Sequence, residues 1–151
     1  MQLEGMATDG GDIRWPDRPV VSCSFAGTLA DFTRGVAEPL ARATTGRAMV
    51  AFGTGPGFAC RSRNRVQGSK MSAHGRGLAI DIAWFEFAGG RRESVAAPGD
   101  EKVVRFLQAL RRSACGWFTT VLGPGSDAAH ADHLHLDAER RGQRGDSRLC
   151  Q

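Results

Sequence analysis

The stretch Leu78-Ala79-Ile80-Asp81-Ile82-Ala83-Trp84-Phe85-Glu86-Phe87 reads as one long β-strand, rich in β-branched and aromatic residues. A carboxylate, Asp81, stands inside it between two isoleucines. If Ile80 and Ile82 face a core, Asp81 faces the opposite side, toward a cleft, because successive side chains alternate across a strand. Gly89-Gly90 follows as a turn, and Arg91–Ala96 reads as a weaker returning strand. Upstream, Ala48–Phe52 is a short apolar run flanked by glycine, another strand. Downstream, Pro98-Gly99-Asp100 opens a helix whose buried stripe is Val103, Phe106, Leu107, Leu110 and Ala114. Phe118–Leu122 and His133–Asp137 read as two further strands, the first closed by the Gly123-Pro124-Gly125 turn.

Before these elements, Leu29, Phe32, Val36 and Leu40 recur at spacings of three and four and predict a helix from about Phe25. Thr28 is a candidate cap, and Gly35 and Pro39 weaken or kink the helix. Residues 1–19 are Gly- and Asp-rich and read as a flexible leader, leaving 20–151 as a single domain. The order helix, strand, hairpin, helix, strand, strand predicts an α+β fold. It would have a small antiparallel sheet with helices packed on one side. Between Gly53 and Gly77 lies a long irregular segment, a length that usually carries function.

Chemistry concentrates in two places. The chain has four histidines. Three lie in His130-Ala131-Asp132-His133-Leu134-His135-Leu136-Asp137, and the fourth in Ser72-Ala73-His74-Gly75-Arg76-Gly77. On a strand, His133 and His135 project from one face while Leu134 and Leu136 fill the core behind them. A zinc ion takes about four ligands, and a catalytic one keeps a position for water. His74, Asp81 and one histidine of the second cluster meet that need, with Gly75 and Gly77 letting the chain turn between His74 and the strand. A carboxylate must then handle the water proton. Asp132 and Asp137 are the available acids, and Asp132 stands three residues before His135.

Bulk properties agree with a polyanionic surrounding such as a bacterial wall. Net charge is +4, with Lys70 and Lys102 the only lysines, so arginine carries the positive charge. No apolar run approaches the ~20 residues of a membrane span, and the start lacks a secretory signal. Cys23, Cys60, Cys115 and Cys150 form no CxxC pair, and their even number fits two disulfides, hence a periplasmic or secreted protein. A nuclease would want a phosphate-cradling Gly-Lys loop or aromatic stacking platforms. The chain has neither, and no tyrosine, so nucleic acid is not expected as a partner.

Ser72-x-His74-x-x-Gly77-x-Ala79-x-Asp81, with Asp132-x-x-His135, resembles the paired motifs of the LAS zinc metallopeptidases. These include D-Ala-D-Ala carboxypeptidases and murein endopeptidases, and hedgehog domains share their fold. More closely, the chain from Cys23 to Cys150 resembles the bacterial extensin-like C-terminal domain family. The matching pieces include Phe58-Ala59-Cys60-Arg61, Ala114-Cys115 and Val121-Leu122-Gly123-Pro124. The resemblance implies a hedgehog-like peptidase fold. It implies zinc on His74, Asp81 and His135, Asp132 as base and Arg61 as oxyanion donor, with Arg63 its rival. His130 and His133 would orient base or substrate. The implied activity is hydrolysis of D-amino-acid bonds in peptidoglycan stem peptides by a monomer. The alternative is a wall-binding module that keeps an inert zinc site. Where many LAS members carry glutamate as the base, this chain carries the shorter Asp132.

Overall fold

The computed structural model describes residues 1–62 and 68–151. It is a mixed α+β arrangement built on one eight-stranded sheet. In chain order the elements are β1 (Gly5–Thr8), β2 (Gly11–Arg14), α1 (Cys23–Phe32), a π-helical turn (Thr33–Ala37), α2 (Glu38–Thr45), β3 (Met49–Thr54), β4 (Ala79–Phe87), β5 (Arg91–Ser94), α3 (Glu101–Ala114), β6 (Thr120–Leu122), β7 (Leu134–Asp137) and β8 (Leu149–Cys150). The sheet runs β1-β2-β3-β4-β7-β6-β8, and β5 also pairs with β4.

The expectation of a small antiparallel sheet is therefore corrected in two respects. The sheet is larger, and it contains parallel contacts between β2 and β3 and between β6 and β8. The extra strands are β1, β2 and β8. They are two to four residues long, too short to show an alternation. The reading of residues 1–19 as a flexible leader is corrected with them. β1 and β2 form a hairpin, and Ile13 and Trp15 are buried, the indole edge-on to Phe52 at 5.6 Å between ring centroids.

The helices follow their sequence signals with one shift. Ser22, not Thr28, caps α1: its Oγ accepts from the Phe25 amide at 3.3 Å. Thr28 lies inside the helix and donates its hydroxyl to the Ser24 carbonyl. Gly35 sits in the π-helical turn, and Pro39 is the second residue of α2, which continues from that turn without a break. α3 is capped by Asp100, whose side chain accepts from the Lys102 amide at 2.8 Å. It buries Val103, Phe106, Leu110 and Ala114.

What positions the site is a break in the alternation of β4. Gly53 pairs with Trp84 and Thr54 with Ile82, so Ala83 is an extra residue, a bulge. It keeps Ile80 and Ile82 on the same buried side as Phe85 and Phe87, although the two pairs are out of phase in sequence. Were Ala83 paired in regular alternation instead, Phe85 and Phe87 would turn to the opposite face. The bulge also divides the strand's partners. Residues 79–82 pair with β7 and residues 84–87 with β5. On the core side, Phe106 of α3 stands edge-on to Phe85 and Phe87 at 5.2 and 5.5 Å, and Phe118 packs against Phe25 and Phe32 of α1. Each such buried ring contributes roughly 1.5–3 kcal/mol by leaving water.

A disulfide joins Cys115, at the end of α3, to Cys150 in β8 and ties down the tail. Of the two disulfides expected, the structure forms this one; Cys23 and Cys60 carry exposed thiols. Among the described residues, no helix is long and apolar enough to cross a membrane.

Candidate metal centre

Asp81 and His135 are direct cross-strand partners in the β4–β7 pair. On either side of them, Ile80 faces Leu136 and Ile82 faces Leu134, all four buried. The apolar residues hold the core face, so the two polar ones must share the other. His135 Nδ1 lies 2.8 Å from Asp81 Oδ1.

His74 arrives from a separate piece of chain. A short 3₁₀ turn, Ala73–Arg76, is capped by the Ser72 hydroxyl and ends at Gly77 in the left-handed conformation. A Cβ on Gly77 would meet the Ser22 amide nitrogen at 2.9 Å, so glycine is required there on both counts. The turn sets His74 Nε2 3.3 Å from His135 Nδ1 and 3.2 Å from Asp81 Oδ2. One donor atom from each of the three residues lies within 4.8 Å of the others. His74 and His135 are buried.

The remaining hydrogen bonds orient these donors. His74 Nδ1 faces the Gly57 carbonyl at 2.8 Å, which fixes that nitrogen as a donor and turns Nε2 toward Asp81. His135 Nε2 faces Asp137 Oδ2 at 3.2 Å, and Asp137 is in turn held by the Thr119 hydroxyl and the Glu139 amide. An outward nitrogen bonded to a carbonyl or carboxylate is the usual support of a ligating histidine. The donor set and its spacing fit a zinc-sized ion. Tetrahedral bonds of about 2.0–2.1 Å place neighbouring ligand atoms roughly 3.3 Å apart.

Charge in the site is strongly coupled. Burial alone would raise the Asp81 pKa, but the hydrogen bonds from His135 and His74 override it and hold the carboxyl far below its usual range. Burial likewise disfavours the charged His135 ring, yet Asp137 and Asp81 hold its pKa up at about 9. Replacing Asp137 by asparagine is expected to weaken metal affinity about 10–100-fold, as loss of a supporting carboxylate does elsewhere. Competition with a chromophoric chelator measures it; an unchanged affinity would mean that Asp137 does not support the ring.

The two other histidines join the same cluster. His133 Nε2 lies 3.4 Å from Asp81 Oδ1, and its Nδ1 lies 2.7 Å from Asp132. His130 stacks near both, with ring centroids 5.3 Å from His133 and 5.4 Å from His135. Asp127, which caps the turn Ala128–His130, also holds His130 Nδ1 at 2.7 Å. All four rings border a cleft of about 420 Å³, with Arg61, Thr120, Glu139 and Arg141 among its other walls.

The structure thus gathers His74, Asp81, His130, His133, His135 and Arg61 around one space. Asp132 is different: its side chain is 83% exposed and does not border the cleft, and it reaches the site only through His133. The hydrogen bond from His133 holds its carboxyl below the usual range. Arg63 lies outside the described residues. Sequence reading missed the Gly57 carbonyl, which no side-chain pattern can announce, and Asp127, whose signal was its place three residues before His130.

The model of a protein family described as "Extensin-like protein C-terminus" matches residues 1–151. No curated protein and no solved structure matches the chain.

Proposed function

The chain belongs to the extensin-like C-terminal family, and on that premise we propose that it is a zinc-dependent peptidase of bacterial peptidoglycan stem peptides, acting in the periplasm or outside the cell. The observation that carries this reading is the convergence of His74 Nε2, Asp81 and His135 Nδ1, two segments of chain that meet only in the fold, at the floor of an open cleft. The paired motifs resemble those of LAS metallopeptidases, and a hedgehog-like peptidase fold is part of the same proposal. The disulfide suits an oxidising compartment.

When bound, zinc would polarise a scissile carbonyl and make a water nucleophilic near neutral pH. The chain's own groups do the rest. His133 presents Nε2 to the cleft and is backed by the Asp132 carboxylate on Nδ1. This pair supplies a base whose tautomer is fixed by the carboxylate, so Asp132 acts through His133. Arg61, on the cleft wall, would supply positive charge to the developing oxyanion. Thr120 and Arg141 line the other side, where the guanidinium hydrogen-bonds the Thr120 hydroxyl at 3.3 Å.

The test is digestion of purified muropeptides by the full chain, with and without zinc, comparing His74→Ala, His133→Ala and Asp132→Asn. The reading expects zinc-dependent cleavage that His74→Ala and His133→Ala abolish and Asp132→Asn only reduces. Identical products in every arm would remove it. The exposure of Asp132 favours a second reading, a wall-binding module with an inert metal site. That reading expects stoichiometric zinc and binding to insoluble wall, with no cleavage.

Zinc and protons must compete for this site, because imidazole binds a metal only when its nitrogen is bare. His135, with its pKa at about 9, holds a proton at neutral pH. Zinc affinity is therefore expected to rise about tenfold per pH unit between pH 6 and 8, while one proton is displaced. Titration against a chelator of known affinity at each pH reads this slope, and a flat profile contradicts it.

A further inference from the structure

We propose that Cys23 and Cys60 are a second disulfide pair, an inference independent of the metal reading. With Cys115 bonded to Cys150, these two thiols have only each other within the chain, and both are exposed to an oxidant. The segments that lead to them run side by side. Val20 and Gly57 form a parallel bridge, the Val20 amide donating to Pro56 at 2.9 Å and the Phe58 amide to Val20 at 2.7 Å. Each cysteine stands three residues beyond that bridge, Cys23 after Val20 and Cys60 after Gly57.

Beyond the bridge, one turn holds both. The Ser22 amide donates to Gly77 at 2.8 Å, while the Ala59 and Gly77 amides both donate to the His74 carbonyl, at 3.3 and 3.0 Å. The residue before each cysteine is thus tied to the same short stretch, His74–Gly77. A disulfide needs Cα atoms within about 7 Å. Cys60 lies in an irregular segment with no helix or strand of its own to resist that approach, and Cys23 is the first residue of α1. The bond would fasten the start of α1 to the wall that carries Gly57, the acceptor for His74 Nδ1, and Arg61.

The oxidant is a small-molecule disulfide. One protein thiolate attacks a sulfur of that disulfide, forming a mixed disulfide and releasing one thiolate. The second protein thiolate attacks the protein sulfur of the mixed disulfide and releases the other. Two electrons leave the cysteines for the oxidant, and the two cysteine protons go to the released thiolates or to water.

The experiment incubates the full chain with oxidised glutathione, then denatures it without reductant, titrates thiols and maps peptides by mass spectrometry. The expected result is no free thiol and a peptide pair linking Cys23 to Cys60 beside the one linking Cys115 to Cys150. In the same buffer, Cys23→Ser/Cys60→Ser should melt about 10 °C below the oxidised wild type, as closing a loop of this length implies. Two persistent thiols with Cys115–Cys150 intact would overturn the proposal. So would linkage of Cys23 or Cys60 to any other cysteine, or glutathione retained on both.

Discussion

Replacing His74 by alanine is expected to weaken zinc binding by about 10²–10³-fold while leaving the fold in place. Structural zinc in small domains is held by roughly 10–16 kcal/mol across four ligands, so one ligand accounts for about 3–4 kcal/mol. His74 is the ligand whose removal disturbs least. It stands on a short turn outside the sheet, and the turn is also held by the Ser72 cap and by Gly77. Asp81 and His135, by contrast, are paired across two central strands, and losing either leaves the other without its partner. Thermal melts check the prediction. With zinc at 100 times its dissociation constant, the wild type gains about 2.7 kcal/mol, or roughly 5–10 °C in Tm. At the same zinc concentration His74→Ala should gain about none. Equal gains in the two proteins would mean that zinc binds elsewhere.

The largest effect on stability is expected from Phe106→Ala, at about 3–5 kcal/mol. Phe106 is fully buried where α3 crosses the sheet and meets both Phe85 and Phe87 edge-on. Removing the ring opens a cavity between α3 and β4 that neither element can close. The neighbouring Leu107 is only partly buried, so Leu107→Ala should cost less than half as much. Chemical denaturation at constant slope compares the two. Because Phe106 lies on the far side of β4 from Asp81, zinc affinity measured below the unfolding transition should be unchanged by Phe106→Ala. A parallel loss of affinity would show that the two faces of the strand are mechanically coupled.

Sequence reading reached the site because its two main strands declare themselves. Ile80 and Ile82 around Asp81, and Leu134 and Leu136 around His135, form alternations that assign each polar side chain to the face away from the core. The helices were legible for the same reason, since their buried residues recur at helical spacing. Other features were not. The hairpin of β1 and β2 buries only Ile13 among its alternating positions, and a single apolar residue makes no pattern. The bulge at Ala83 appears only as a slip of phase between Ile82 and Phe85, which a strand alone cannot distinguish from a short interruption. The place of Asp132 also escaped the sequence. Three residues before His135 suggests a carboxylate over the ion, but the chain enters β7 only at Leu134, so Asp132 is not bound by strand alternation. It turns outward, and His133 fills the position toward Asp81.

Anomalous diffraction from zinc-equilibrated crystals decides whether one divalent ion is held jointly by His74, Asp81 and His135. The account predicts a single strong zinc peak bonded to His74 Nε2, an Asp81 carboxylate oxygen and His135 Nδ1, with one further position open to the cleft. A peak bonded to other residues, or none at these three atoms at saturating zinc, would contradict it.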